Sequence, residues 1–183
     1  MMFLKSDGTP AKGNVSITEE FVDRDKRLTA SIIGPGQKMK DASGKDVDFS
    51  LNFSWTRTGY VWIKWVTPEF TAMNTSDGGS VNSLPVIRYA EVLLNYAEAA
   101  EELGLMTPEL WANTIGNLRE RAGIKSIYPA SGEYVVDQFL KDYYTVGVQH
   151  PVALSNTLLE IRRERATELM LEEDSRYNDL MRW

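Results

Sequence analysis

Cysteine is absent from this chain of 183 residues, and histidine occurs once. Without a thiol there is no disulfide framework, no thiol nucleophile and no cysteine-based zinc site, and a single imidazole, His150, cannot assemble a histidine-rich metal centre. Positive charge is in deficit, with 20 Lys and Arg against 26 Asp and Glu and a formal net charge of −6. That balance argues against a general electrostatic grip on nucleic-acid phosphates or anionic lipid, and it suits a neutral partner better. Long apolar runs are missing too: none approaches the ~18 residues of a membrane-spanning helix. The opening MMFLKSDGTPAKGN turns polar after its first four residues and reads as a ragged loop, not as a secretory signal. What is present, 43% hydrophobic and 25% charged residues, suffices for one ordinary core.

The first part of the chain, residues 1–83, reads as irregular and partly β. Asp23, Arg24, Asp25 and Arg27 crowd a turn, and a β-rich run follows from Leu28 to Ile33. GPGQKMKDASGKD is expected to be a loop. From Phe49 to Val66 aromatic and β-branched residues are frequent, and YVWIKW alternates as a strand does. Alternation puts Tyr60, Trp62 and Lys64 on one side and Val61, Ile63 and Trp65 on the other.

Residues 84–183 read as helical. Ser83 is the expected N-cap and Pro85 lies in the first turn. Arg88, Glu91, Asn95, Glu98 and Glu102 recur at spacings of three and four and are expected to form one wet stripe. Val86, Ala90, Leu93, Ala97 and Ala100 form the packing face, and Gly104 closes the helix. A second helix opens at Thr107-Pro108-Glu109, buries Trp111, Ile115, Leu118 and Ala122, and ends before Gly123. The short connection predicts an antiparallel αα-hairpin resembling one tetratricopeptide unit, which needs neighbours to bury its face. Further helices are expected over EYVVDQFLKDYY, with Val136, Phe139, Leu140 and Tyr143 on one side, and from about Ser155 to Glu172. A short final helix carries Tyr177, Leu180, Met181 and Trp183. Arg162, Arg163, Glu164, Arg165 and Glu168 are too dense to be all solvated on a helix that also packs. Some of them, together with Arg176, Asp179 and Arg182, are expected to make inter-helix ion pairs that fix the angle of the last two helices, with a basic patch for an anion as the alternative.

Three phrases in order, LPVIRYAEVLLNYAEAAEELG, NLRERAGI and RRERATELMLEEDSRYNDLMRW, resemble the C-terminal half of SusD/RagB proteins. DRDKRL with its following run is similar to the segment that precedes these helices. Gly116 departs from the family's usual asparagine, and Glu173, Asp174 and Ser175 make the last corner about one residue longer. The resemblance implies a mainly α fold of tetratricopeptide-like hairpins, with the family's N-terminal helices, signal and lipid anchor outside this segment. It implies a non-catalytic lipoprotein at the outer-membrane surface, of the Bacteroidetes type, that binds oligosaccharide for a SusC-like TonB-dependent transporter. No cofactor, catalytic residue or metal is expected, no nucleic acid is a partner, and the membrane is met only through the anchor.

Sugar recognition needs flat rings for the C–H face of a pyranose and polar side chains for its hydroxyls. Trp55, Tyr60, Trp62 and Arg57 are therefore the candidate glycan-binding residues. The alternative is that these rings pack under the long helix, and Trp65 is buried if the Val61 side faces a core. Glu91 and Glu98 could pair for glycoside hydrolysis, but a solvated face is the expectation. Glu172, Glu173 and Asp174 with Asn178 or Asp179 lack the spacing of a calcium loop. A generic tetratricopeptide-like scaffold for protein partners is the rival function.

Overall fold

The computed structural model describes residues 2–13, 15–40, 45–48, 53–54, 56–65, 83, 85–145, 154–172 and 175–183. Its elements, in chain order, are α1 (Ile17–Glu20), α2 (Lys26–Ser31), β1 (Lys38–Lys40), β2 (Asp46–Asp48), α3 (Tyr89–Glu102) and α4 (Pro108–Trp111). A π-helical turn, Ala112–Gly116, leads into α5 (Asn117–Arg121), followed by α6 (Gln138–Thr145), α7 (Asn156–Glu168) and α8 (Ser175–Arg182). The fold is mainly α, as the sequence predicts. The chain divides into two units: residues 1–14, 23–27 and 87–183 form the first, and residues 15–22 and 28–86 the second.

In the first unit, Thr107 accepts the Leu110 N–H at 3.1 Å and Pro108 fills the first turn, so α4 starts where its capping residues place it. Gly104 and Gly123, at φ +68° and +74°, end α3 and α5 in the same way. At each the glycine N–H and the next N–H reach back to carbonyls of the last turn, a Schellman closure that a left-handed residue makes possible. Between the two ends Ala90, Leu94 and Ala97 of α3 bury against Trp111, Ile115 and Leu118, with Ile161 and Leu169 completing the core. The π turn adds a residue to this path, and a Cβ on Gly116 would lie 3.3 Å from the Trp111 carbonyl. Glycine at that position therefore answers a close backbone approach.

Four expectations about the helices need correction. Helix α3 begins at Tyr89, with Arg88 at the N-cap and no side-chain cap, so Ser83 and Pro85 precede it. Val86 is exposed and does not join the packing face. On α6 only Leu140 of the expected apolar stripe is buried, and Tyr144 takes the place of Val136, Phe139 and Tyr143. On α8, Tyr177, Leu180 and Met181 face solvent, while Asp179 is the buried residue because Arg165 and Arg182 hold it.

The amino-terminal strand of chain docks onto the loop after α5. Lys125 donates its backbone N–H to Ser6 at 2.8 Å, and Leu4 packs with Ala122 and Ile124. Gly8 sits at φ +83°, where an added Cβ would lie 2.3 Å from the Lys125 carbonyl.

In the second unit, β1 and β2 pair antiparallel with Lys38 opposite Asp48, in a stretch the sequence reads as loop. The run from Leu28, expected to be β, is instead mostly helical. Asp25 accepts the Arg27 backbone N–H at 2.9 Å and so supplies the helix with a start that β propensity does not override. The β signal surfaces only beyond it: Ile33 donates to Val61 at 3.0 Å and Ile63 to Ser31 at 2.8 Å, an isolated bridge centred on Ile32 and Trp62. The expected strand through Tyr60–Trp65 is reduced to that bridge, and Trp65 turns out of it at φ +71°, half-buried.

Two measurements test this packing. Burial alone would push the Glu168 carboxyl up, but hydrogen bonds from Arg121 and Arg27 outweigh it and bring the group down to about 2. Glu164 is lowered for the same reason, by Arg27 and Arg119. A depressed folded pKa contributes stability above the unfolded value and loses it as pH falls. Urea midpoints should therefore hold near neutrality and decline steadily from roughly pH 5 toward pH 2. Gly8→Ala should cost more than about 1 kcal/mol in the same assay, because both φ and the Lys125 carbonyl oppose it.

Candidate functional site

The candidate glycan-binding residues lie in the second unit, and the structure treats them differently. Trp62 is 62% exposed, although its backbone is held by the bridge to Ile32. A ring on fixed backbone that stands in solvent is a preorganised flat surface. Arg57 is exposed on the preceding turn. Tyr60 has the same parity as Trp62 but a different role. Its hydroxyl donates to Glu20, and its ring lies 6.5 Å from that of Phe21 at a tilt of 35°. Burial, and then the hydrogen bond and charge of Glu20, push the phenol up to about 12. The Tyr60 carbonyl also accepts from Thr56 at 3.0 Å. Tyr60 therefore ties the 56–60 turn to α1, and its hydroxyl is already engaged. Trp55 lies outside the described residues. Phe53, which the sequence reading passed over, is 66% exposed. Its nearness to Trp55 and Arg57 in the chain was the available signal.

Lys64 places its ammonium 5.5 Å from the centre of the Trp65 ring. That contact covers an indole which would otherwise meet water on that side.

The carboxylates weighed for chemistry belong to the first unit, and Glu98, Glu172 and Asp179 are held by arginines. Glu98 is 4% exposed rather than wet. It accepts from Arg182 at 2.5 and 2.8 Å and from the Trp183 indole N–H at 2.6 Å, with Arg165 3.6 Å away. Arg88, at the other end of the same stripe, spans Glu168 and Glu172. The stripe read as solvated is thus divided: Arg88, Asn95 and Glu98 bond residues of α7 and α8 or of the turn after α7, while Glu102 stays exposed. Glu172 and Asp179 are held by arginines, which answers the calcium alternative at those two positions; Glu173 and Asp174 lie outside the described residues. Among the described residues no group of three or more Asp, Glu or His could hold a metal ion.

The dense run on α7 pairs outward at Arg163, Glu164, Arg165 and Glu168, whereas Arg162 makes no ion pair among the described residues. Arg119 reaches Glu160 at 2.6 Å and Glu164 at 2.9 Å, with all three side chains at most 2% exposed. Arg27 brackets Asp25, Glu164 and Glu168. Arg163 bonds Asp137, and Arg165 makes a two-pronged contact with Asp179 at 2.8 and 2.9 Å. Arg176 departs from the expectation: among the described residues it bonds the hydroxyls of Tyr143 and Tyr144 and no acid.

Among the described residues, no helix is long and apolar enough to cross a membrane. A family model, that of the SusD family, matches residues 2–183. No curated protein and no solved structure matches the chain. Proteins of this family are non-catalytic, bind glycans for nutrient uptake and are associated with the outer membrane at the cell surface. The ordered phrases, the helical hairpin and the family match over nearly the whole length agree: the chain belongs to the SusD/RagB family.

Proposed function

We propose that this chain holds an oligosaccharide against Trp62, with Arg57 and Trp55 completing the contact, and passes it to a SusC-type TonB-dependent transporter of the outer membrane. The observation that carries this reading is the exposed indole of Trp62 on a backbone fixed by its bridge to Ile32. A pyranose lays its C–H face on such a ring, and a guanidinium can donate to the hydroxyls at its edge. Tyr60 anchors the neighbouring backbone through its bond to Glu20. The role is binding without chemistry or cofactor, on a lipoprotein whose lipid anchor makes the membrane attachment.

A second reading, a tetratricopeptide-like scaffold for a protein partner, is favoured by one observation. Tyr89, Val92, Tyr96 and Leu103 form an exposed apolar stripe along α3.

Isothermal calorimetry of the protein against a panel of neutral and host-derived glycans separates the two. Binding to at least one glycan is expected, and Trp62→Ala should weaken it about tenfold or more, the equivalent of roughly 1.4 kcal/mol. The same variant should change folding stability by less than about 0.5 kcal/mol, because the ring is exposed. Tyr60→Phe should instead cost about 1 kcal/mol of stability through the lost bond to Glu20. Silence across the panel, together with retention of a peptide partner, would favour the scaffold.

A further inference from the structure

Around the last residue of the described chain three guanidiniums converge on one indole. Arg162, Arg182 and Arg176 place their central carbons 4.5, 5.1 and 5.7 Å from the centre of the Trp183 ring. Arg162 and Arg176 also lie 5.6 and 5.8 Å from the Tyr144 ring, which meets Trp183 and Tyr143 edge-on. Tyr143 continues the row to Phe139 at 6.0 Å, and both of those rings are about half-exposed.

Charge in this cluster does not balance. Glu98 and Asp179 are already taken up by Arg165 and Arg182. Arg162 and Arg176 form no ion pair among the described residues. Arg162 is 7% exposed, and its Nε has no hydrogen-bond partner. A buried donor of this kind is costly to leave unmade, and cation–π contact with two rings offsets only part of it. Burial lowers the pKa of this guanidinium from its ordinary value, against the pull of Glu98. Arg176 spends two of its five donors on tyrosine hydroxyls at 3.0 and 3.2 Å. The pair is a local surplus of positive charge in a protein whose formal net charge is −6.

We infer that Arg162 and Arg176, on the ring row of Tyr143, Tyr144 and Trp183, form a binding site for an oxyanion, a carboxylate or a sulfate group. The guanidinium forks match the planar geometry of a carboxylate and the donors suit sulfate equally. The half-exposed ring of Tyr143 lies 5.6 Å from Arg176 and continues to that of Phe139, a surface where the apolar face of an acidic sugar would rest. The residues are other than those of the Trp62 platform, and the group they would take is an anion instead of a neutral hydroxyl.

The test follows the indole N–H signal of Trp183 by nuclear magnetic resonance in the intact chain at low salt, while sodium sulfate, sodium glucuronate and glucose are titrated in turn. Both anions should shift the signal, glucose should not, and affinity should fall as ionic strength rises. Tighter binding of glucuronate assigns an acidic sugar as the source, and tighter binding of sulfate assigns a sulfate group. Arg176→Gln should weaken the anions about tenfold or more, as expected for a charge-assisted bond. Should that variant fail to fold, Arg176→Lys keeps the charge, loses the fork and should fall between. An unmoved Trp183 signal with both anions, or equal affinity in a folded Arg176 variant, overturns the inference.

Discussion

The helical unit is organised by the ion pairs that radiate from α7. Ten of the thirteen residues of this helix are buried, yet only Leu159 and Ile161 among them are apolar. A helix that is polar all round is ordinarily a solvent-facing one. Here it is an axis, because among the described residues every buried charge on it except Arg162 finds its opposite on a neighbour: Arg119 on α5, Arg27 on α2, Arg88 ahead of α3, Asp137 ahead of α6 and Asp179 on α8. Desolvation cancels much of the attraction in such pairs, whereas loss of one partner strands a buried charge. The network therefore fixes which helices meet, and at what angle, more than it adds net stability. A conventional apolar core of Ala90, Leu94, Ala97, Trp111, Ile115 and Leu118 lies beside it.

This division of labour bears on function. Glu98 serves the network, and so it holds Arg182 and Trp183 in place. With Glu98, Glu160, Glu164, Glu168, Glu172 and Asp179 committed to arginine, recognition falls to rings and to arginines that have no carboxylate partner among the described residues. Trp62 with Arg57 is the first such set, and Arg162 with Arg176 over Trp183 is the second. Each combines a flat apolar surface with polar donors, the composition that a sugar ligand requires.

Features set by local chemistry were legible in the sequence. Thr107-Pro108 starts a helix, and Gly104 and Gly123 end two, because capping involves residues within a turn of one another. The buried positions of the second hairpin helix followed from spacing alone. What was hidden depends on partners distant in the chain. The stripe holding Glu98 reads as wet until Arg182, 84 positions later, comes to meet it. The Tyr60 hydroxyl reads as a candidate sugar contact until Glu20, 40 positions earlier, claims it. Leu28–Ile33 carries β propensity, yet Asp25 caps a helix there, and only Ile32 and Ile33 keep an extended partner. Membership of the family was legible from three ordered phrases, since those phrases encode the helices and the arginines that tie them together.

The central claim is that the pairs on α7 act as one coupled network, and a double-mutant cycle between Arg119 and Glu164 tests it most directly. Arg119→Met and Glu164→Leu would each be measured singly and together by urea denaturation. The account predicts that each single change costs about 3 kcal/mol or more, and that the double variant costs less than the sum by about 1 to 3 kcal/mol. Additive costs, with no coupling beyond about 0.5 kcal/mol, would contradict it.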